Sequence, residues 1–184
     1  MISKIFPMMW GTYISSSFQH VNPGDPDYMK TRTKPDRTYE HTIMKFDASS
    51  DTLPISRLTQ VNLWVYVASG DGTEHKAYKI LRNVIANCSW DFFNVNQQLS
   101  WAAPGAQGAG DRTTTAIGTR SFTSPGWRAM PIAPADYISW RTESLPLILI
   151  PKVGTADQTV FTKSTFPPYI EALYRPATSG IIMF

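Results

Sequence analysis

Residues 59–69 (TQVNLWVYVAS) constrain the fold of this chain more than any other segment, because apolar and other side chains alternate strictly along them. The two sets are Val61, Leu63, Val65 and Val67 on one side and Asn62, Trp64 and Tyr66 on the other. A period of two is that of a β-strand, so the aliphatic side predicts a core face. The side with two large aromatic residues is either covered by another element or is a recognition surface.

Further short segments have strand character, and clusters of Pro, Gly, Asn and Asp separate them. The predicted strands are residues 12–16, 41–46, 77–83, 121–123, 137–140, 145–151, 160–163 and 169–174. The turn sequence SGDGT at 69–73 predicts that residues 77–83 return beside 59–69 as a hairpin. No window of a dozen residues keeps a helical apolar period without a breaker. The pattern therefore favours an all-β fold, a single jelly-roll-like β-sandwich.

Length and composition narrow the possible partners. The 184 residues suit one domain, residues 1–184, with apolar terminal extensions at 1–11 and 176–184. The net charge of +3 is too small to indicate nucleic-acid binding. No run approaches the ~20 apolar residues of a membrane span. Cys88 is the one cysteine, which excludes an internal disulfide and a Cys-based zinc site.

The stretch SWDFFNVNQQLSWAAPGAQGAGD at residues 89–111 is too aromatic for a linker and too rich in glycine for a regular element. It predicts a long ordered loop, which needs an anchor inside a compact domain. In one interpretation Trp90 and Trp101 form a second small core. In the other, Trp101 lines a sugar site and Asn94 and Asn96 hydrogen-bond the hydroxyls.

Several motifs occur in a particular order over roughly residues 12–175. They are TYISS at 12–16 with Asn22 and Gly24; FDAS at 46–49; LWVYV at 63–67 with Ser69 and Gly70; Ser89 and Trp90, NVN at 94–96, Trp101, Pro104 and Gly105, and Gly110 and Asp111; and LPLILI at 145–150 with PYIE at 168–171. This order resembles the DNRLRE domain family, β-sandwich domains similar to carbohydrate-binding modules, some of which bind alginate. The resemblance implies that residues 89–111 are the long crossover loop of that family.

Metal binding has weak support. Members of that family often carry an Asp before the first Thr-Tyr, whereas Trp10 and Gly11 stand there in this chain. Four loop carboxylates are weak candidates for Ca²⁺, namely Asp25, Asp27, Asp71 and Asp111. Each also fits the alternative role of a turn-forming Asp. No other cofactor is expected.

No catalytic residues are predicted. His20, His41 and His75 lack a metal-ligand spacing, and there is no Gly-x-Ser-x-Gly motif. The glycine-rich sequence GAQGAG at 105–110 is not followed by the Lys and Ser or Thr of a phosphate loop. The chain is therefore expected not to be an enzyme, and a glycan-degrading enzyme is the weakest of three functional hypotheses.

A glycan site is predicted at an exposed aromatic residue among Trp64, Tyr66 and Trp101. Lys79 or Arg82 is the candidate partner for an acidic sugar. This site suits either of two remaining functions. The first is a structural or adhesion protein of a virus particle, such as a bacteriophage capsid decoration, fibre or tail component. The second is a free-standing carbohydrate-binding module for an extracellular polysaccharide.

The first function is preferred because residues 1–10 (MISKIFPMMW) lack the features of a signal peptide. A protein made in the host cytoplasm and assembled into a virion fits that expectation, whereas the alternative location is extracellular. Other virion proteins or copies of the same chain are the expected partners. Apolar residues near both ends predict assembly contacts, and these residues are Phe6, Trp10, Ile181, Ile182, Met183 and Phe184.

Overall fold

The computed structural model describes residues 1–22, 27–33, 38–143, 146–152 and 158–177. The protein is all-β, as predicted, with one α-helix and one 3-10 turn at Ile55–Arg57 in the described residues. The strands are β1 Ile2–Ser15, β2 Tyr28–Thr33, β3 Tyr39–Phe46, β4 Leu58–Ser69, β5 Glu74–Lys79, β6 Phe92–Asn94, β7 Leu99–Ser100, β8 Gly118–Ser121, β9 Gly126–Ile132, β10 Leu147–Pro151, β11 Gln158–Thr162 and β12 Tyr169–Tyr174, and the helix is α1 Pro134–Glu143.

Strand β4 lies at the centre of the fold. Residues 58–64 pair with β12 and residues 61–67 pair with β9, so these two neighbours lie on opposite edges of β4. The end of β4 also pairs with β11. The prediction that its aliphatic side faces the core is confirmed, because Val61, Leu63, Val65 and Val67 are all completely buried.

Six strands pair in a closed ring in the order β1, β12, β4, β11, β2 and β3, and β3 returns to β1. All of these pairings are antiparallel. On the edge of β3 that lies opposite β1, the sheet continues through β10 and β5 to β8. The main hydrophobic core is lined by side chains from this ring, from β9 and from α1.

Strand β1 corrects the prediction that residues 1–11 are a terminal extension. The strand begins at Ile2, and residues 2–7 pair with β12 whereas residues 8–15 pair with β3. A bulge between Met8 and Trp10 separates the two halves. Backbone pairing and the burial of Phe6 in the main core hold this segment in the sheet.

The strand predicted at residues 137–140 is wrong, because these residues belong to α1. Tyr137 and Trp140 lie three positions apart, which places both on one face of the helix and into the core. The Tyr137 hydroxyl donates a hydrogen bond to buried Asp51 at 2.7 Å, and the hydroxyl of Tyr174 donates to the same carboxylate. Burial and Asp51 raise the pKa of Tyr174 to about 12. This network fixes the helix to β12.

The predicted hairpin of residues 59–69 and 77–83 is also wrong. The second strand is β5, which pairs with β10 and β8 and not with β4. The Asp71 carboxylate accepts hydrogen bonds from the backbone and the hydroxyl of Thr73 and so shapes the connection. A Cβ atom on Gly70 would lie 2.4 Å from the carbonyl oxygen of Phe122, so only glycine allows this close approach.

The long segment between β5 and β8 contains its own small core. A second hydrophobic cluster joins Trp90, Trp101 and Cys88 to side chains of β1, β3 and β10. Gly105 adopts a φ of +74°, and a Cβ atom there would lie 2.6 Å from the Trp90 ring. Its N–H donates to the carbonyl of Trp90, and its own carbonyl accepts from His41. Trp90 therefore anchors the loop, as one of the two interpretations of the sequence expected.

No helix in the described residues is long and apolar enough to cross a membrane. That residues 1–184 form one domain, with an extension at 176–184, stays a prediction.

Replacing Leu63 with Ala should lower the free energy of unfolding by about 2–4 kcal/mol, because burial is lost and a cavity remains. Leu81 is 49% exposed, so Leu81→Ala is a matched control with an expected change below about 0.5 kcal/mol. Urea unfolding followed by tryptophan fluorescence measures both. Equal losses in the two variants would show that the assigned register of β4 is wrong.

Candidate functional site

The outer face of β4 carries a group of aromatic side chains from several strands. Trp64 and Tyr66 project from β4 itself. Tyr169 of β12 is the cross-strand partner of Trp64, and Trp127 of β9 is the partner of Tyr66. Phe166 precedes β12 and completes the group. We call Trp64, Tyr66, Trp127, Phe166 and Tyr169 the aromatic patch.

The rings of the patch contact one another in sequence. The ring centroids of Trp64 and Tyr169 are 6.0 Å apart in a stacked arrangement, and those of Tyr169 and Trp127 are 5.3 Å apart. Tyr66 meets Trp127 edge to face at 5.7 Å and stacks on Phe166 at 4.2 Å. Phe166 is 39% exposed and the other four rings are half-buried. Mutual packing thus fixes the ring positions while part of each ring stays open to solvent.

The segment between β11 and β12 places Phe166 in the patch. Pro167 and Pro168 have no N–H to donate, so regular pairing stops before β12 begins. The Pro168 carbonyl still accepts a hydrogen bond from the N–H of Met8 at 2.9 Å, which fixes the segment to β1. The Thr162 hydroxyl donates to the carbonyl of Phe166. This short excursion therefore holds Phe166 against Tyr66.

Polar groups adjoin the rings on one side. Glu171, two residues after Tyr169, accepts a hydrogen bond from Nε1 of Trp64 at 2.9 Å. Asn62 Nδ2 lies 3.4 Å from the same carboxylate oxygen, and the hydroxyl of Ser3 donates to the other oxygen at 3.1 Å. Burial and the charge of Glu171 raise the pKa of Tyr169, so its phenol stays protonated at neutral pH. The patch therefore combines apolar ring surface with hydrogen-bonding groups.

The predicted cationic partners lie elsewhere. Lys79, at the end of β5, forms an ion pair with Asp136 at 3.2 Å and a hydrogen bond with Ser139. The Arg82 guanidinium lies 3.4 Å from Asp111 and over the ring of Phe93. The structure therefore brings neither Lys79 nor Arg82 to the patch.

The predicted site residues of the long loop do not join the patch. Trp101 is only 5% exposed, and its Nε1 donates to the carbonyl of Ser89. Asn94 hydrogen-bonds with the side chain and the backbone of Gln97 in the turn between β6 and β7. The Asn96 side chain accepts a hydrogen bond from Asn87. Trp101 thus acts as a core residue, and the two asparagines shape the turn.

Each of the three described candidate metal ligands, Asp111, Asp27 and Asp71, accepts hydrogen bonds from its own set of protein groups. Asp111 is completely buried and accepts hydrogen bonds from the backbone N–H groups of Ala102, Ala103 and Gly108. Asp27 accepts a hydrogen bond from Ser164. Burial alone would raise the pKa of Asp71, but hydrogen bonds from Thr73 and Thr159 hold it below its usual value.

Asp25 lies outside the described residues. Among the described residues, no three His, Cys, Asp or Glu side chains are placed to hold a metal ion together.

The predicted assembly residues divide into two groups. Phe6 is buried in the main core beside Tyr137, and Trp10 packs against the second cluster. Both therefore pack within their own chain. The other four predicted contacts, Ile181, Ile182, Met183 and Phe184, lie outside the described residues.

The buried histidines hold loops and strands together in their neutral form. His41 Nδ1 lies 3.0 Å from the carbonyl oxygen of Gly105 and must carry the hydrogen, because a carbonyl only accepts. His75 Nδ1 donates in the same way to Thr73, so its Nε2 accepts from the hydroxyl of Thr31.

The environment of each ring keeps it uncharged. Burial lowers the pKa of His41 to about 4, aided by the charge of Arg112 and opposed by the bond to Gly105. Burial also lowers the pKa of His75 to about 4, against the bond to Thr73 and the charge of Asp71.

Two other side chains with potentially reactive groups are Cys88 and His20. Cys88 is buried, and its burial raises the thiol pKa to about 12, so the nucleophilic thiolate is scarce at neutral pH. His20 is exposed and lies 3.3 Å from Asp91 in an ion-pair geometry.

Sequence reasoning identified Trp64 and Tyr66 but missed Trp127, Phe166 and Tyr169. Trp127 lies in β9, whose sequence GWRAMPI has prolines on both sides and another inside it, and these resemble breakers. Phe166 stands in a Pro-rich connection. The signal available in the sequence was an aromatic residue next to a proline. This signal alone does not place Trp127 and Phe166 in the patch, because strand pairing brings them together.

Comparison with known proteins adds no relative to this description. No family model matches the chain, and no curated protein matches it.

The lowered pKa values of His41 and His75 predict that the protein loses stability in acid. Each ring binds a proton with a pKa near 6.5 in the unfolded chain but near 4 in the folded one. The unfolded state therefore binds more protons between these values, and the free energy of unfolding falls as the pH is lowered from 6.5 to 4. The slope should approach about 1.4 kcal/mol per pH unit for each histidine.

Urea unfolding at several pH values measures that slope. His75→Asn removes one of the two titrating groups, so the variant should show roughly half of the wild-type slope between pH 6 and 4.5. A wild-type stability that is constant across this range would contradict the assigned neutral histidines.

Proposed function

We propose that this protein is a non-enzymatic adhesion protein that binds a carbohydrate through the aromatic patch. The observation that carries the proposal is the arrangement of five adjoining aromatic rings on the outer face of one group of strands. A contiguous patch of partly exposed rings is typical of a binding surface, and a ligand that covers these rings would complete their burial.

The chemistry of the patch suits a sugar chain. The C–H faces of a pyranose are apolar and pack on aromatic rings, and its hydroxyl groups require hydrogen-bond partners at the rim. The rings of Trp64, Trp127 and Tyr169 supply the apolar surface. The Glu171 carboxylate and the Asn62 amide stand beside them. A row of rings along a sheet also fits a polymer, since successive sugar units would meet successive rings.

Two settings suit this activity. We favour a bacteriophage virion, in which the protein would decorate a capsid or form part of a fibre or tail and contact a host glycan. A free-standing carbohydrate-binding module would use the same surface on an extracellular polysaccharide. The presence of the chain among the proteins of purified particles would support the first setting, and its absence there the second.

The sequence motifs also lead to a proposal about the fold. We propose that the strands form the two-sheet, jelly-roll-like sandwich of the DNRLRE domain family. The antiparallel pairing of the strands and the order of the sequence motifs support this idea. Membership of that family remains a prediction from the order of the motifs.

Phe166→Ala should weaken carbohydrate binding roughly two- to tenfold, because one stacking contact contributes about 0.5–1.5 kcal/mol. Phe166 is the most exposed ring of the patch, so its removal disturbs the fold least. Phe18 is 49% exposed near the far end of β1, and Phe18→Ala is the matched control with unchanged binding. Isothermal titration with the best ligand from a panel of neutral and acidic oligosaccharides measures both.

Thermal unfolding of each variant checks that the fold is retained. A panel without any binder, or equal binding by the Phe166 and Phe18 variants, would contradict the proposed site.

A further inference from the structure

Glu171 gives the aromatic patch a charge of its own. Strand register places Ser3, Ile5 and Pro7 of β1, Gln60 and Asn62 of β4, and Ala129 and Pro131 of β9 on the same face as the rings. Within the strand positions described for this face, Glu171 is the one side chain with a formal charge. The patch is therefore locally acidic, although the whole chain has a net charge of +3.

Three side chains fix the carboxylate in place. Trp64 Nε1 donates to one oxygen at 2.9 Å, Asn62 Nδ2 lies 3.4 Å from the same oxygen, and Ser3 donates to the other oxygen at 3.1 Å. Hydrogen bonds to a carboxylate are directional, so they hold both oxygens in place. The bond to Trp64 also ties the acid directly to a ring of the patch, so a sugar stacked on that ring must lie close to the charge.

We infer that the patch selects neutral sugars and rejects uronic acids, with Glu171 as the specificity-determining residue. This inference rests on the proposed carbohydrate-binding function. A neutral sugar can donate a hydroxyl hydrogen to the remaining acceptor position on the Glu171 oxygen that Ser3 also contacts. A uronate places a second carboxylate beside the first, and like charges at short range repel in a partly desolvated site.

The two predicted cationic partners do not offset this repulsion. Lys79 and Arg82, the candidates for binding an acidic sugar, lie at the end of β5 and just after it, and both are paired with carboxylates. Neither borders the patch. Specificity thus follows from the local charge and not from the net charge of the protein.

The test uses matched pairs of hexasaccharides that differ only at C6, with a hydroxymethyl group in one member and a carboxylate in the other. Glucose, mannose and galactose polymers and their uronate counterparts provide such pairs. The wild-type protein should bind the neutral member of a pair at least tenfold more tightly in isothermal titration at low ionic strength. Raising the salt concentration should reduce this preference, because it screens the repulsion.

Glu171→Gln should lower the preference at least fivefold, because uronate binding strengthens while neutral binding weakens as its charged acceptor is lost. Glutamine keeps an oxygen that accepts from Trp64, so the geometry of the patch is preserved. Glu74→Gln is the control, since it makes the same change in net charge on β5. Glu171→Asp keeps the charge and should keep the preference for neutral sugars, which separates charge from packing.

The outcomes distinguish this inference from the function on which it rests. Wild-type protein that binds uronates as tightly as neutral sugars would overturn the inference and leave the carbohydrate-binding function in place. Equal shifts in the Glu171→Gln and Glu74→Gln variants would also overturn it, because net charge would then decide the specificity. Failure to bind any member of the panel would overturn the proposed function itself.

Discussion

The alternation of side chains along β4 is the constraint on which the rest of the structure depends. Its aliphatic side is completely buried, and its aromatic side forms the middle of the patch. Because the period of a strand is two, the register that buries Leu63 also sets the direction of Trp64. A shift by one residue would exchange the two faces. Core formation and presentation of the candidate site are therefore two results of one pairing register.

A second unit depends on a different kind of contact. The loop between β5 and β8 has little regular structure, and buried groups replace the missing strand pairing. The Asp111 carboxylate gathers three backbone N–H groups, while Gly105 packs on Trp90 and accepts from His41. These contacts explain why an aromatic, glycine-rich segment is ordered: its tryptophans fill a cluster and its glycine permits a close approach. They place Trp101 in the interior and leave the open rings to the face of β4.

Local patterns predicted what depends on local periodicity. The core face of β4 and the bounds of β12 follow from short sequences, and the structure agrees with both. The strand predicted at residues 137–140 rests on the preference of aromatic residues for strands, whereas the three-residue spacing of Tyr137 and Trp140 fits one face of a helix. The pairing of β5 with β10 and β8 depends on contacts far apart in the sequence, which a turn motif cannot encode. Trp127 and Phe166 reach Tyr66 for the same reason, so the sequence predicted only two of the five rings of the patch.

The most direct test of the account follows the indole N–H signals of the six tryptophans by NMR during titration with a neutral oligosaccharide. If the outer face of β4 is the binding surface, the signals of Trp64 and Trp127 shift and saturate together. Trp90, Trp101 and Trp140 lie in the two cores, so their signals should not shift. Saturable shifts of Trp90 or Trp101 without any change at Trp64 and Trp127 would contradict the account and move the site to the long loop.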